Sequence, residues 1–226
     1  MTNKIAKDFL SSSIFYGHFP KKWNPKMAPY LLREEFGHHI FNTFKTLKLL
    51  KLAGDFLHKK AQKQSVILFV GTDKISASII SKEAPSVNAY YITSRWLGGM
   101  LTNWETIQKR IQYLKHLEQK VNNKMLTKKK LVADKKEIQK LNKLFCGIKK
   151  MSSIPEVVVF TNQLKDNLAI QECLHLGIPT IVIVDSNGNP SQTPYPIPAN
   201  DDSSLSINFI ITYLIKRIAR AQEAKV

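Results

Sequence analysis

Three short runs, Val66–Val70, Val157–Phe160 and Thr180–Val184, consist almost entirely of Val, Ile, Leu and Phe. A run of four or five such residues lacks apolar/polar alternation, so it suits a strand buried on both faces rather than one half in water. Gly71-Thr72-Asp73 follows the first run as a turn and N-cap, and 74–83 continue as a helix. Ala89–Ile92 is a shorter strand, and 165–176 is a helix closed by Gly177 with Pro179 beyond it. Helical spacing also covers 45–61, through Leu47, Leu50, Ala53, Gly54 and Leu57. It returns over 203–223, where Leu205, Phe209, Ile210, Leu214 and Ile218 are expected inward. Strands of the doubly buried kind alternating with helices predict a parallel sheet with helices on both faces.

Residues 105–150 break this rhythm. They contain no proline, and two apolar series run through them at heptad-like spacing: Ile107, Ile111, Leu114, Leu117, Val121, then Leu131, Ile138, Leu141, Phe145, Ile148. Asn122-Asn123 and Thr127 mark a turn between the two series. The expectation is an antiparallel two-helix coiled-coil arm, inserted at 105–150 into an α/β domain made of 1–104 and 151–226. The insertion holds 14 Lys and Arg against 4 acids, a surplus of 10 in a chain whose net charge is +17.

A surplus of that size repels itself unless a polyanion is near, which makes nucleic acid the expected partner. With 43% apolar residues the chain has material for a core, so wholesale disorder is excluded. No stretch approaches the ~20 apolar residues of a membrane span, and Met1–Leu10 lacks the apolar centre of a secretory signal. No arginine precedes Arg33, unlike an organelle transit peptide, so the chain is expected to work where it is made or to be a mature form. Cys146 and Cys173 stand 27 residues apart and are read as two buried small hydrophobes, with no zinc or redox spacing.

Catalytic signatures are missing. Gly71-Thr72 has neither a dinucleotide glycine fingerprint nor a P-loop around it, and no Gly-x-Ser-x-Gly elbow occurs. The six histidines form no metal-ligand pair, and His38-His39 would point to opposite faces of a strand. No catalytic, metal or cofactor residue is assigned. Two segments stand out instead. In residues 1–35, Phe15, Tyr16, Phe19, Trp23 and Tyr30 alternate with His18, Lys21, Lys22 and Lys26, while Pro20, Pro25 and Pro29 keep the chain extended or turning. Arg95 to Trp104 sets two adjacent glycines between tryptophans, beside an arginine that could meet a phosphate, with Thr102 or Asn103 placed to cap the first arm helix. Trp23 is read either as a platform for an exposed base or as packed on Pro25 and Pro29.

Gly17 to Met27 resembles the opening signature of the universal small-subunit ribosomal protein number two family. So do Phe69–Thr72, Arg95–Asn103, Leu176–Pro179 and Pro196–Asp202, in the family's order and over nearly the whole chain. The resemblance implies a flavodoxin-like parallel sheet between helices, with a protruding helical hairpin. It also implies a structural, non-enzymatic role at the head–body junction of the small ribosomal subunit. The partners implied are 16S-type rRNA and neighbouring small-subunit proteins, with no membrane and no small-molecule substrate. Thr161-Asn162 stand where the family usually has aspartate and proline, and Gly188-Asn189 where cysteine and aspartate are common, so the resemblance carries no ion-binding role to that loop. The Lys- and Ile-rich composition, the bacterial-type arm, the lack of an extra C-terminal tail, Met27-Ala28-Pro29 and Leu101–Trp104 resemble plastid members, with mitochondrial or bacterial cytoplasmic ribosomes as the alternatives.

The residues expected on rRNA are Lys21, Lys22, Trp23, Asn24, Lys26, Arg95, Lys109, Arg110, Lys128, Lys129 and Lys130. Two other readings make different demands. A nucleotide-binding Rossmann-like enzyme needs a pocket at Gly71-Thr72 and the Asp185 loop. A coiled-coil protein-interaction module needs the arm's apolar seam left open.

Overall fold

A computed structural model of the chain describes residues 12–122 and 128–223. The side chains of Asn122, Lys128 and Lys129 lie outside the described residues, as do Asn123 and Thr127 of the expected turn and the Met1–Leu10 segment. An antiparallel ribbon comes first, β1 (Leu31–Glu35) and β2 (His38–Phe41). Then come α1 (Thr43–Gln62), β3 (Ile67–Val70), α2 (Lys74–Glu83), β4 (Tyr90–Ile92), α3 (Trp104–Asn122) and α4 (Lys128–Phe145). The chain continues with β5 (Val157–Phe160), α5 (Asn167–His175), β6 (Thr180–Val184), β7 (Tyr195–Pro198) and α6 (Ser204–Glu223).

The five strands β3 to β7 form one parallel sheet in the order β4-β3-β5-β6-β7. Numbered among themselves they run 2-1-3-4-5, the flavodoxin-like arrangement. The apolar runs read from sequence are its centre, and every residue of β3, β5 and β6 is buried. Their side chains divide by the period of two. Ile67, Phe69, Val157, Val159, Ile181 and Ile183 meet α1, α2 and α6 on one face. Leu68, Val70, Val158, Phe160, Val182 and Val184 meet α3, α4, α5 and Met27 on the other.

Several expectations need correcting. β7, one of the two edge strands, is not expected from sequence because Pro196 and Pro198 look like loop residues; an edge is where a sheet tolerates proline. The ribbon β1–β2 went unread because β1 is Leu-Leu-Arg-Glu-Glu with a mostly exposed pattern, which carries no alternation. Leu205 is 57% exposed rather than inward. The buried stripe of α6 is Ile207, Ile210, Ile211, Leu214, Ile215, Ile218 and Ala221, and helical spacing carries Leu205 off that stripe. Cys146 is exposed, in the turn after α4, whereas Cys173 is fully buried and its thiol pushed up to about 12 by that burial. The helix expected from 165 starts at Asn167, leaving Lys165 free to pair with Asp73.

Helices α3 and α4 pack side by side. Ile107, Ile111, Leu114, Leu117 and Leu141 are buried and Ile138 and Leu131 half-buried, so among the described residues the seam closes within the chain rather than standing open to a coiled-coil partner. Cross-links show the antiparallel sense: Glu118 accepts from Asn142 at 2.9 Å and from Lys149 at 2.6 Å, and Lys120 lies 3.9 Å from Asp134. Lys149 and Asn142 hold the Glu118 carboxyl below its usual range.

Candidate nucleic-acid interface

The front segment is held by its backbone so that its cations face out. The Asn24 carboxamide accepts from the Lys26 N–H at 3.0 Å and caps a 3-10 turn over Pro25–Tyr30, while the Asn24 N–H donates to the Ser186 carbonyl at 2.8 Å. Met27 is fully buried beneath. Lys21, Lys22 and Lys26 are therefore presented on prolyl turns with no acidic partner among the described residues, and all three are exposed. Asn24 is half-buried and structural as well as surface-facing. Trp23 lies beside the His39 ring at 5.2 Å, with 38% of its surface exposed.

Arg95 is exposed at the start of a loop whose rigidity comes from one residue the sequence reading overlooked. Glu172 on α5 sits 7% exposed and gathers the loop around its carboxylate. Trp96 Nε1 donates at 3.0 Å, Gly99 N at 2.8 Å, Leu101 N at 3.0 Å and Thr102 N at 3.3 Å. Burial pushes the carboxyl up, but the hydrogen bonds from Trp96, Leu101, Gly99 and Thr102 outweigh it and leave the pKa below the usual value. Gly99 has φ +82, which lets the backbone fold its N–H groups inward. A signal existed: Ala169, Glu172 and Cys173 share the inward face of a helix, where an unpaired carboxylate is costly. The loop delivers the chain into α3 at Asn103, whose carboxamide oxygen accepts from Thr106 Oγ1 at 2.7 Å.

Along α3 and α4, Lys109, Arg110 and Lys130 are exposed, and no described acid pairs with them. The described ion pairs use up Asp55, Asp73, Glu118, Asp134 and Glu156 elsewhere. Lys128 and Lys129 lie outside the described side chains.

Doubly wound sheets take nucleotides in the crevice at the carboxyl ends of the strands. Here the Gly71 turn is tightly packed: a Cβ on Gly71 would stand 2.6 Å from Ile80 Cδ1 and 2.7 Å from Thr161 Oγ1. Gly17 packs on Ser186, and the His18 N–H donates to Ser186 Oγ at 2.9 Å. The crevice holds an acidic group instead. His18 lies 3.0 Å from Asp185 and 3.3 Å from Asp202, and its pKa is raised, chiefly by the hydrogen bond to Asp185. Asp201 Oδ1 is buried without a hydrogen-bond partner, and burial followed by the charges of Asp185 and Asp202 drives its carboxyl well up. His18, Asp201 and Asp202 offer ligand atoms within 4.8 Å of one another. They could hold a divalent cation, which would relieve the orphaned oxygen. The sequence alone carries no metal-ligand expectation there, although Asp201 and Asp202 close the Pro196–Asp202 block of the family resemblance.

A family model for ribosomal protein S2 matches residues 9–221. The chain belongs to the ribosomal protein S2 family. Among its relatives, small ribosomal subunit protein uS2c of Guillardia theta is 44% identical over 96% of this chain and 94% of that protein. The uS2c of Cyanophora paradoxa is 41% identical over 96% and 95%. The uS2 of the Picosynechococcus strain is 41% identical over 93% and 84%. As an S2 protein the chain is a structural component of the small ribosomal subunit and not an enzyme, and the run of uS2c relatives assigns it to the plastid ribosome.

Proposed function

We propose that the chain fastens to small-subunit rRNA through two cationic surfaces, the front segment and the α3–α4 pair, and thereby steadies the junction of the head and body of the subunit. The observation that carries this reading is the set of exposed cations that pair with no acid among the described residues: Lys21, Lys22, Lys26, Arg95, Lys109, Arg110 and Lys130. Cations on a rigid frame replace the counterions condensed on phosphates, and release of those counterions drives binding. Folded RNA is recognised largely by shape, phosphate and 2′-hydroxyl, so this surface needs no base-reading motif. Asn24 caps the front turn, and Trp23 stands partly exposed beside it. Lys128 and Lys129 belong to the same lysine run. The body, 1–104 with 151–226, supplies the frame, and 105–150 supplies the reach.

The test is crosslinking in intact plastids, with the attached residues and nucleotides sequenced. Crosslinks from the front segment and from α3 to 16S-type rRNA are expected. Crosslinks confined to protein, or a chain that sediments apart from the small subunit, would refute the proposal.

A further inference from the structure

A cleft of ≈ 390 Å³ opens at the foot of α3. Leu97, Ile107 and Leu144 form its apolar wall, and the peptides of Gly98 and Gly99 form a floor without side chains. We propose that this cleft receives one unstacked base of the rRNA, with the adjoining phosphate on Arg110. The inference rests on the proposed rRNA binding and deepens it.

The floor is bare and fixed. A Cβ on Gly98 would meet only Leu168 Cδ2 at 3.8 Å, so the bareness is not forced by crowding at that position. At φ +82, position 99 admits a residue other than glycine only with strain. Glu172 takes the Gly99 N–H, so the floor exists before any ligand arrives, and a preformed site spends less ordering entropy on binding. Bare backbone beside an apolar wall leaves room for a flat ring.

The polar groups fit the edge of a base and its backbone. Thr106 Oγ1 donates to the Asn103 oxygen, which leaves the Asn103 NH2 without a partner among the described residues. That NH2 can donate to a ring nitrogen or carbonyl. Arg110 stands on the rim, exposed and without an ion pair among the described residues, and no acid lines the cleft. An apolar slot with one free cation at its mouth suits a ring that carries a phosphate. Sequence-specific proteins take splayed-out RNA bases in this way. A side chain from a neighbouring protein is the competing occupant, and it would leave Arg110 unmatched unless it brought an acid.

The full chain, carrying p-benzoylphenylalanine at Glu105, exposed beside the cleft and outside its lining, or, in a separate preparation, at Lys22, is assembled into small subunits and irradiated. Photoproducts from position 105 on one rRNA nucleotide are expected. Gly98→Leu, which puts a bulky side chain on a glycine of the lining, should cut that product at least about ten-fold, as expected when a base can no longer stack in its site, and leave the position-22 products unchanged. Arg110→Ala, at an exposed site that folding does not need, should reduce the same product several-fold. Labelling of a protein from position 105, no product there, or a product indifferent to both variants overturns the cleft assignment. If position 22 still labels rRNA in that case, the wider reading stands; if it labels none, that reading falls as well.

Discussion

Replacing Glu172 tests how the Arg95 loop is held. In Glu172→Ala, Trp96 Nε1 and the Leu101 N–H lose their acceptor at residues only 6% and 1% exposed. An unpaired buried donor costs about 1–3 kcal/mol, so these two together cost about 4 kcal/mol. The Gly99 and Thr102 donors are less buried and can find water, and they add little. Glu172→Gln keeps the shape and one acceptor oxygen but turns an NH2 toward N–H groups, at a cost of about 2 kcal/mol. Against a total stability of about 5–15 kcal/mol, either loss is readily measured by urea unfolding at moderate salt. The pH dependence has a definite sign. The folded carboxyl titrates below its ordinary value of 4.5, so the native state gains from the charged form above that pH and loses the gain as pH falls through the lowered pKa. The gap between the natural chain and Glu172→Gln should therefore narrow below about pH 4.5. Both variants unfolding within about 0.5 kcal/mol of the natural chain, below the cost of one unpaired buried donor, would refute the idea that this carboxylate fastens the loop.

Changing Lys21, Lys22 and Lys26 together to Glu should reduce incorporation into small subunits, read on gradients of tagged particles, while the melting temperature stays unchanged. Lys109→Ala with Arg110→Ala should flatten the dependence of log affinity for rRNA on log salt by roughly 0.7–0.9 for each phosphate no longer neutralised, read by filter binding from 50 to 200 mM salt. Burial raises the Asp166 carboxyl to about 6, so between its ordinary value of 3.8 and about 6 the folded state binds more protons and loses stability as pH rises. Asp166→Asn should accordingly stabilise the fold by on the order of 2 kcal/mol at pH 7.5, with the gain gone near pH 4 in urea titrations. Gly147→Ala should cost several kcal/mol by the same assay, because its Cβ would fall 2.1 Å from the Tyr91 carbonyl oxygen.

The central strands were legible because burial on both faces leaves an unmistakable composition; Val157-Val158-Val159-Phe160 has few other readings. The pairing of α3 with α4 was legible because the apolar spacing and the absence of proline coincide over 105–150. β1 was not, since Arg33, Glu34 and Glu35 face water and its pairing is a backbone matter. The cationic surfaces could be named by residue type, but not their frames. Asn24 and Ser186 meet across 162 positions, Glu172 and Gly99 across 73, and no local pattern announces such contacts. The His18–Asp202 group escaped for the same reason, because it joins the two ends of the chain.

The outer strand of the sheet has a consequence for the chain before it finds its particle. The Ala199 N–H reaches back to Val184 on β6, which fixes the phase of the strand: the odd positions turn toward β6 and the even ones outward. Pro196 and Pro198 occupy the outward phase, so this rim offers no N–H there to a strand of another molecule. Along this edge, copies of the chain are thereby hindered from zipping together strand to strand.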